Sequence, residues 1–360
     1  MATESVQSKR LLSLDVYRGF TMFLMVSSGF GLHALADNHG WEWLAYQMSH
    51  VEWIGCTLWD LILPSFIFIV GVAMPFAFAA RSARGESRAD QFRHVWKRSL
   101  ILLLLGVGRD IFLTNTLVFE MINVLQQIAV AYFFAFFLLG RKLSTQCGAA
   151  FLILLVDWAL FQFWPGVGEG GAYAKNANFH SAVEMMIWGR FNTGGYTAFN
   201  AFSSIATVIF GIIAGELLRT QLPGGRKTRY LLLAGLAGIV AGWLLSPVIP
   251  VVKRIYTPSW TIYSAGWASL LLGTFYWIIE VKCWRAWSFP FMVVGMNSIA
   301  IYMLVSVLRG SVRSWTWTVF GPLLERMGDA GTIIHYCMIL MVFWYMVYWM
   351  YQRRIFLKVG

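Results

Sequence analysis

The segment 58–80 reads LWDLILPSFIFIVGVAMPFAFAA, and Asp60 is its only charged residue. An α-helix needs about 20 predominantly apolar residues to cross the hydrocarbon core of a bilayer. The segment therefore predicts a membrane-spanning helix. Working outward, we find nine more such stretches, at approximately 14–35, 95–113, 120–140, 146–164, 199–219, 229–247, 261–280, 290–309 and 333–352. We predict an all-α, polytopic membrane protein with about ten transmembrane helices, forming a single domain over residues 1–360.

The composition supports this class. Apolar residues make up 58% of the chain and charged residues 12%, whereas soluble proteins carry about a quarter charged residues. The net charge of +11 comes from basic residues in short runs between apolar stretches. That pattern indicates membrane orientation rather than nucleic-acid binding. The four cysteines are scattered without CxxC spacing, so we expect neither a disulfide framework nor a metal site.

Lys and Arg are distributed unequally between the two sides of the predicted bundle. With ten helices, 19 of them fall on the side of the termini and 8 on the other. This bias predicts cytoplasmic termini and a multi-pass protein of the cell (inner or plasma) membrane. The loops 36–57 and 165–198 then lie outside. The second is rich in Gly and Asn, which favours a loop over a site rather than a helix.

The first stretch carries Asp15 and Arg18 and is longer than the apolar core of a signal peptide, so we expect it to remain in the mature protein. Ionisable residues inside a span are costly and therefore candidates for function. Asp15 and Arg18 are three residues apart and can form a same-face pair. Either the pair is structural, or Arg18 meets an anionic ligand that enters from the cytoplasm.

His50 lies in the segment SHVEWIGCTLWD at 49–60, just before the second predicted helix. Carboxylates at Glu52 and Asp60 are available to fix its tautomer and raise its basicity, as in a general base. Two simpler interpretations remain open at this point. The histidine can be an ordinary solvated loop residue, and Asp60 can be the last residue of a helix cap that begins at Thr57.

Other polar residues lie in or near predicted spans, where interhelical hydrogen bonding is their simplest role. They are Asn123, Gln126, Gln127, Asp157, Glu216, Asn297 and Ser298. Lys253 and Arg254 precede the aromatic segment YTPSW at 256–260, a pattern typical of an interfacial anchor. No Walker loop, HExxH, GxSxG or metal-spaced histidine cluster occurs in the sequence, so the common soluble chemistries are unsupported.

Six blocks of sequence carry a resemblance to a known family. They are RLLSLDVYRG at 10–19 with LMV at 24–26, HVEWIGCTLWDL at 50–61 with PSFIFIVG at 64–71, VLQQIAVAY at 124–132, SIATVIFG at 204–211, YTPSW at 256–260 and GMNSIAIY at 295–302. With these blocks in the family's order, the chain resembles the transmembrane acyltransferases typified by heparan-alpha-glucosaminide N-acetyltransferase and its bacterial relatives.

The resemblance implies transfer of an acetyl or similar group from cytoplasmic coenzyme A to an amino or hydroxyl group of a sugar beyond the membrane. The expected partners are the lipid bilayer, the coenzyme A thioester and a sugar or glycan acceptor, with a homodimer as a further partner to test. The family's catalytic histidine corresponds to His50. The stretch SSGF at 27–30 stands where the family usually has an Asn, which leaves the acceptor open.

The expected roles follow from acyl-transfer chemistry, with acetyl-CoA as donor and no metal. His50 would be the base or a transiently acetylated nucleophile, with Asp60 or Glu52 orienting it. Asn297 or Gln126 would supply oxyanion donors. The candidate coenzyme A ligands are Arg18, Lys97, Arg98, Gln126 and Gln127. The alternative functions are a secondary transporter or lipid-linked sugar flippase on the same scaffold, and a structural membrane partner.

Overall fold

The computed structural model describes residues 11–116, 120–166 and 169–357. All regular structure in these residues is helical, which confirms the all-α class. The α-helices are α1 (Leu12–Ser27), α2 (Glu42–Gln47), α3 (Ile62–Ala83), α4 (Arg88–Thr114), α5 (Val124–Ala135), α6 (Leu143–Phe163), α7 (Phe179–Trp188), α8 (Asn200–Arg219), α9 (Gly224–Leu245), α10 (Pro258–Tyr276), α11 (Phe289–Met296), α12 (Ser298–Glu325) and α13 (Asp329–Gln352). Short 3-10 helices cover Ser28–Leu35, Trp59–Leu61, Phe136–Leu138 and Ala286–Ser288, and a π-helical turn covers Trp277–Val281.

Six helical stretches in the described residues are long and apolar enough to cross a membrane. They are Trp59–Ala83, Leu143–Phe163, Asn200–Arg219, Gly224–Leu245, Pro258–Val281 and Asp329–Gln352. Ala286–Met296 and Ser298–Glu325, which meet at 70°, add a seventh if they form one broken span. The chain is therefore a multi-pass helical membrane protein. The predicted count of ten and the cytoplasmic side of the termini are not confirmed.

Three predicted spans differ from the helices that form. The stretch 14–35 is α-helical only to Ser27, because Ser28, Gly29 and Phe30 have positive φ angles of 49°, 68° and 55°. At 16 residues, α1 is about 24 Å long, shorter than the roughly 30 Å core of a bilayer. Helix α5 has only 12 residues. Helix α4 has 27 residues but carries several charged side chains.

The loop 165–198, which was predicted to lie outside and to lack a helix, contains the helix α7. The side chain of Asn178 caps its start by accepting a hydrogen bond from the Ser181 N–H, and Gly189 ends it with a φ of 65°. Asn and Gly therefore mark the boundaries of a helix here as well as turns. Helix α7 buries His180 and Glu184, which anchors the loop on the bundle.

Glycines allow the helices that carry the site to approach closely. A Cβ atom on Gly71 of α3 would lie 2.2 Å from the Val208 carbonyl oxygen, and one on Gly211 of α8 would lie 2.2 Å from that of Phe68. Small residues at such contacts are typical of helix packing in membranes. The contact fixes α3, whose N-terminal end follows Asp60, against α8.

We expect Gly211→Ala to lower the free energy of unfolding by about 1–3 kcal/mol, the usual cost of overpacking, because the added methyl group meets a backbone oxygen that cannot rotate away. Gly148→Ala in α6 is the matched control, since a Cβ atom there meets nothing within 4 Å. Thermal unfolding in detergent measures both variants. Equal unfolding temperatures for the two variants would contradict the packing argument.

Candidate active site

His50 and Asp60 form a close pair at the N-terminal end of α3. His50 Nδ1 lies 2.7 Å from Asp60 Oδ1. The Asp60 side chain is 1% exposed, whereas that of His50 is 42% exposed. A proton on Nδ1 gives both groups a complementary partner and leaves Nε2 as an unprotonated nitrogen. The arrangement is that of a base oriented by a carboxylate.

The second oxygen of Asp60 holds the loop that carries His50. Oδ2 accepts hydrogen bonds from the backbone N–H groups of Val51 (3.3 Å) and Thr57 (3.2 Å). Thr57 Oγ1 lies 2.9 Å from the same oxygen. The two interpretations of Asp60 are therefore compatible, because one oxygen contacts the imidazole while the other caps the turn before α3.

Lys253 completes the cluster, although the sequence did not single it out as a site residue. Its Nζ donates a 3.1 Å hydrogen bond to Asp60 Oδ1 and lies 3.1 Å from His50 Nδ1, a contact that is not a hydrogen bond while Nδ1 carries the proton. The side chain is 7% exposed. Burial lowers the pKa of the Lys253 ammonium, and the Asp60 carboxylate opposes that effect. Lys253 and Asp60 are 193 positions apart, and no local sequence signal predicts their contact.

Arg254 joins the two outer loops beside His50. Its guanidinium donates hydrogen bonds to the carbonyl oxygens of Gly194 and Val51. Its own carbonyl accepts a 2.8 Å hydrogen bond from the Asn200 side chain at the start of α8. Arg254 therefore bridges the loop 165–198 and Val51, the residue that follows His50.

A second histidine pair supports the same region without joining the site. His180 Nε2 lies 2.8 Å from Asp157 Oδ1, and both side chains are 0% exposed. The ring of Phe161 packs on His180 at a centroid distance of 4.3 Å. The pair connects α7 to α6. Because neither side chain reaches solvent or a cavity lining, we assign it a structural role.

Two cavities lie at opposite ends of the helices around α3, and we call them inner and outer after the sides that the charge bias predicts. The outer cavity, of about 370 Å³, is lined by His50, Lys253 and Tyr196 together with Trp59, Arg109, Asp110 and Asn123. The inner cavity, of about 600 Å³, is lined by three arginines, Arg18, Arg81 and Arg98, by His94, and by apolar walls that include Met22, Met74 and Leu102. Three residues, Phe66, Val124 and Tyr302, line both cavities.

The structure separates the predicted coenzyme A ligands. Arg18 and Arg98 line the inner cavity, and Arg18 also lies 3.9 Å from Asp15, as predicted. Lys97 is exposed and does not line that cavity. Successive residues of a helix point about 100° apart, and here Arg98 faces the cavity while Lys97 is exposed. Arg81, which the sequence analysis did not select, lines the cavity instead.

Gln126 and Gln127 hold the start of α5 and line neither cavity. Gln126 Oε1 accepts a 3.3 Å hydrogen bond from the Asn123 N–H in a capping box. Gln127 Nε2 donates to the Ile122 carbonyl oxygen at 3.0 Å. Their neighbours reach the cavities instead: Asn123 lines the outer cavity, and Val124 lines both.

Two other predicted site residues lie away from the imidazole. Glu52 is exposed, and the carboxylate that contacts His50 is that of Asp60. Asn297 is fully buried at the break between α11 and α12, where it donates to the Ile355 carbonyl oxygen (3.0 Å) and accepts from the Leu357 N–H (3.2 Å). Its amide is therefore engaged with the C-terminal segment rather than with His50.

A metal site has no support in the part of the chain described here, where no group of three or more His, Cys, Asp or Glu side chains is placed to hold an ion. The described residues instead bring together a paired histidine, a buried lysine and, next to them, a cavity lined by three arginines.

A family profile described as the catalytic region of heparan-alpha-glucosaminide N-acetyltransferase matches residues 10–245. The chain belongs to the heparan-alpha-glucosaminide N-acetyltransferase family. The human enzyme of that name is 22% identical over 82% of this chain and 52% of its own length. The mouse enzyme is 22% identical over 99% of this chain and 62% of its own length. The chain thus spans between half and two thirds of these curated relatives.

Membership in the heparan-alpha-glucosaminide N-acetyltransferase family confirms the resemblance on which the sequence analysis drew. It places the chain among membrane acetyltransferases at the level of the family. The matched region includes Arg18, His50, Asp60 and Arg98 but ends before Lys253. The family match therefore covers both cavities in part, and the structure adds the contact with Lys253.

We expect the stability of the outer loop to depend on Glu184, whose buried carboxylate accepts a hydrogen bond from the Ala198 N–H. Burial raises the pKa of Glu184 from 4.5 to about 7; the Ala198 hydrogen bond opposes this, and Glu120 adds to it. Because the pKa of Glu184 is higher in the folded state, protonated Glu184 contributes its full stabilisation of the fold below pH 4.5. That contribution is lost as pH rises through about 7.

Glu184→Gln keeps the acceptor oxygen and removes the titration, so its melting temperature in detergent should fall less than that of the wild type between pH 5 and pH 8, a window of roughly three units around the raised pKa. Glu52→Gln is the exposed control and should behave as the wild type. An unchanged pH slope in Glu184→Gln would contradict the assignment.

Proposed function

We propose that this protein is a membrane acyltransferase that moves an acetyl group from a coenzyme A thioester in the inner cavity to an amino or hydroxyl group of a sugar in the outer cavity. The observation that carries the proposal is that a cationic cavity and the His50 cluster share one wall of three residues. Such an arrangement lets an impermeant donor serve an acceptor on the other side without crossing.

The sidedness of the proposal follows from the distribution of charge. The bias of 19 basic residues against 8, counted for the ten predicted helices, supports a cytoplasmic inner cavity, where coenzyme A is available, and His50 on the far side of the cell membrane. The whole chain then works as one transmembrane domain, with the loops 36–57 and 165–198 around the acceptor.

The inner cavity suits the donor. Arg18, Arg81 and Arg98 line it and would bind the coenzyme A phosphates through charge-assisted hydrogen bonds. The Arg98 guanidinium lies 4.8 Å from the ring centroid of Tyr132, a contact that holds it in the cavity. The apolar walls would receive the chain that leads to the thioester.

In the proposed reaction the acceptor nitrogen or oxygen attacks the thioester carbonyl carbon while His50 Nε2 takes its proton. The oxyanion then collapses, the C–S bond breaks with its electron pair on sulfur, and the sulfur takes the proton from His50. The products are the acylated sugar and free coenzyme A. Transient acetylation of His50 Nε2 is a second route to the same products.

Asp60 and Lys253 have distinct roles in this proposal. Asp60 keeps the proton on Nδ1 and stabilises the imidazolium that forms when Nε2 takes the acceptor's proton. Lys253 balances the charge of Asp60, and because it also lines the outer cavity, it is a better oxyanion donor than Asn297 or Gln126, whose amides lie elsewhere.

A transporter or lipid-linked sugar flippase is the second candidate function. The 70° break between α11 and α12 favours it, because discontinuous helices form the substrate sites of many transporters. The position of His50 beside Asp60 and Lys253 favours chemistry, since transport alone does not require a base oriented in this way.

We expect His50→Ala to lower acyl transfer by on the order of 10²-fold or more, the scale for a lost general base, while coenzyme A binding is retained. Thiol release from acetyl-CoA by purified protein, with a panel of amino sugars as acceptors, measures the rate. His39→Ala, another outer-loop histidine, is the control. Transfer at the wild-type rate by folded His50→Ala would refute the assignment, and sugar flux without thiol release would favour the transporter.

We expect Arg98→Gln to weaken coenzyme A binding by about tenfold, since a hydrogen bond to a charged group contributes about 1.5–3 kcal/mol. Lys97→Gln is the matched control, because it removes the same charge from the adjacent, exposed position on α4. Calorimetric titration with coenzyme A at low salt measures both. Equal affinities for the two variants would remove the inner cavity from the donor site.

A further inference from the structure

Phe66, Val124 and Tyr302 lie where the two cavities adjoin, and they come from three different helices. Phe66 lies on α3, Val124 begins α5, and Tyr302 lies one turn into α12. Phe66 and Tyr302 are each 7% exposed. These are the residues that the linings of the inner and outer cavities have in common, and we call them the dividing wall.

A polar network fixes Tyr302 on the outer side of the dividing wall. The Arg109 guanidinium lies 5.4 Å from the centroid of the Tyr302 ring. Arg109 Nε donates a 2.9 Å hydrogen bond to Ser306 Oγ, which itself donates to the Tyr302 carbonyl oxygen at 2.8 Å. The ring is therefore held by groups on α4 and α12.

The same network extends to Val124. Arg109 donates to Asp110 Oδ1 at 2.8 Å, and the Asn123 side chain donates to Asp110 Oδ2 at 2.6 Å. Asn123 is the residue before Val124 and caps α5. Two of the three wall residues are thus tied to one another through α4, and the third, Phe66, is packed in the apolar core.

We propose that the dividing wall sets the length of the acyl group that the protein transfers, admitting acetyl and excluding longer chains. This inference rests on the proposed function, since it requires an acyl group to pass from the inner to the outer cavity. A packed wall of two aromatic rings and a valine gives little room for extra methylene groups, because protein interiors are close-packed and do not expand freely.

The inner cavity does not impose the same limit. Its volume of about 600 Å³ falls in the range of sites for drug-sized ligands. Met22, Met74 and Leu102 line it, and such side chains accept longer acyl chains. Longer thioesters are therefore expected to bind from the inner side and to compete with acetyl-CoA without being transferred.

The test compares transfer from acetyl-CoA and butyryl-CoA in the wild type, Phe66→Leu and Val124→Ala. Each substitution removes volume from the wall, so the ratio of butyryl to acetyl transfer should rise by on the order of tenfold, the low end of discrimination per methylene group in an apolar pocket. Val124→Ala carries the test if Phe66→Leu does not fold. Thiol release with an acceptor panel gives the rates, and competition binding gives donor affinity.

Phe68→Leu is the matched control, since Phe68 lies two residues further along α3, is 1% exposed and lines neither cavity. An unchanged ratio in the wall variants, with acetyl transfer retained, would overturn the inference. An equal rise in Phe68→Leu would also overturn it, because general loosening would then explain the effect. A wild-type protein that binds coenzyme A but transfers no acetyl group would refute the proposed function instead.

Discussion

The Asp60 carboxylate is a buried anion at the start of a membrane-spanning helix, and the site is built around it. Burying an ionised carboxylate is expensive unless it is paired and hydrogen-bonded. Both oxygens have partners: His50 and Lys253 contact one, and the N–H groups of Val51 and Thr57 contact the other. The contacts that satisfy this one anion fix the positions of His50, of Lys253 and of the loop that joins His50 to Asp60.

The bilayer imposes the second constraint, because polar groups inside it must be paired or face a cavity. The described helices meet it by packing closely through glycines such as Gly71 and Gly211 while leaving a cavity at each end. Three arginines line the inner cavity, and His50 and Lys253 line the outer one. The apolar dividing wall between them is what an acyl group, but not coenzyme A, would need to pass.

The parts of the site that could be predicted are those determined by short segments. His50 and Asp60 are ten residues apart, and one turn brings them together. Arg98 was predicted from its position in a basic run, but so was Lys97, which lies on another face of α4. A count of charged residues does not show which face of the helix each side chain occupies. Glu52 was predicted from proximity in sequence, whereas the fold of the loop brings only Asp60 to the imidazole.

The sequence by itself determined the membrane-embedded helical class and the family, because apolar runs and short blocks are local properties of the chain. It also predicted a basic bias between the two sides of the membrane, which depends on the number of spans. The tertiary structure alone decided that Lys253 joins Asp60, that Arg81 lines the inner cavity and that Phe66, Val124 and Tyr302 form one wall. Those contacts join segments far apart in the chain, so they depend on how the helices pack rather than on any local pattern.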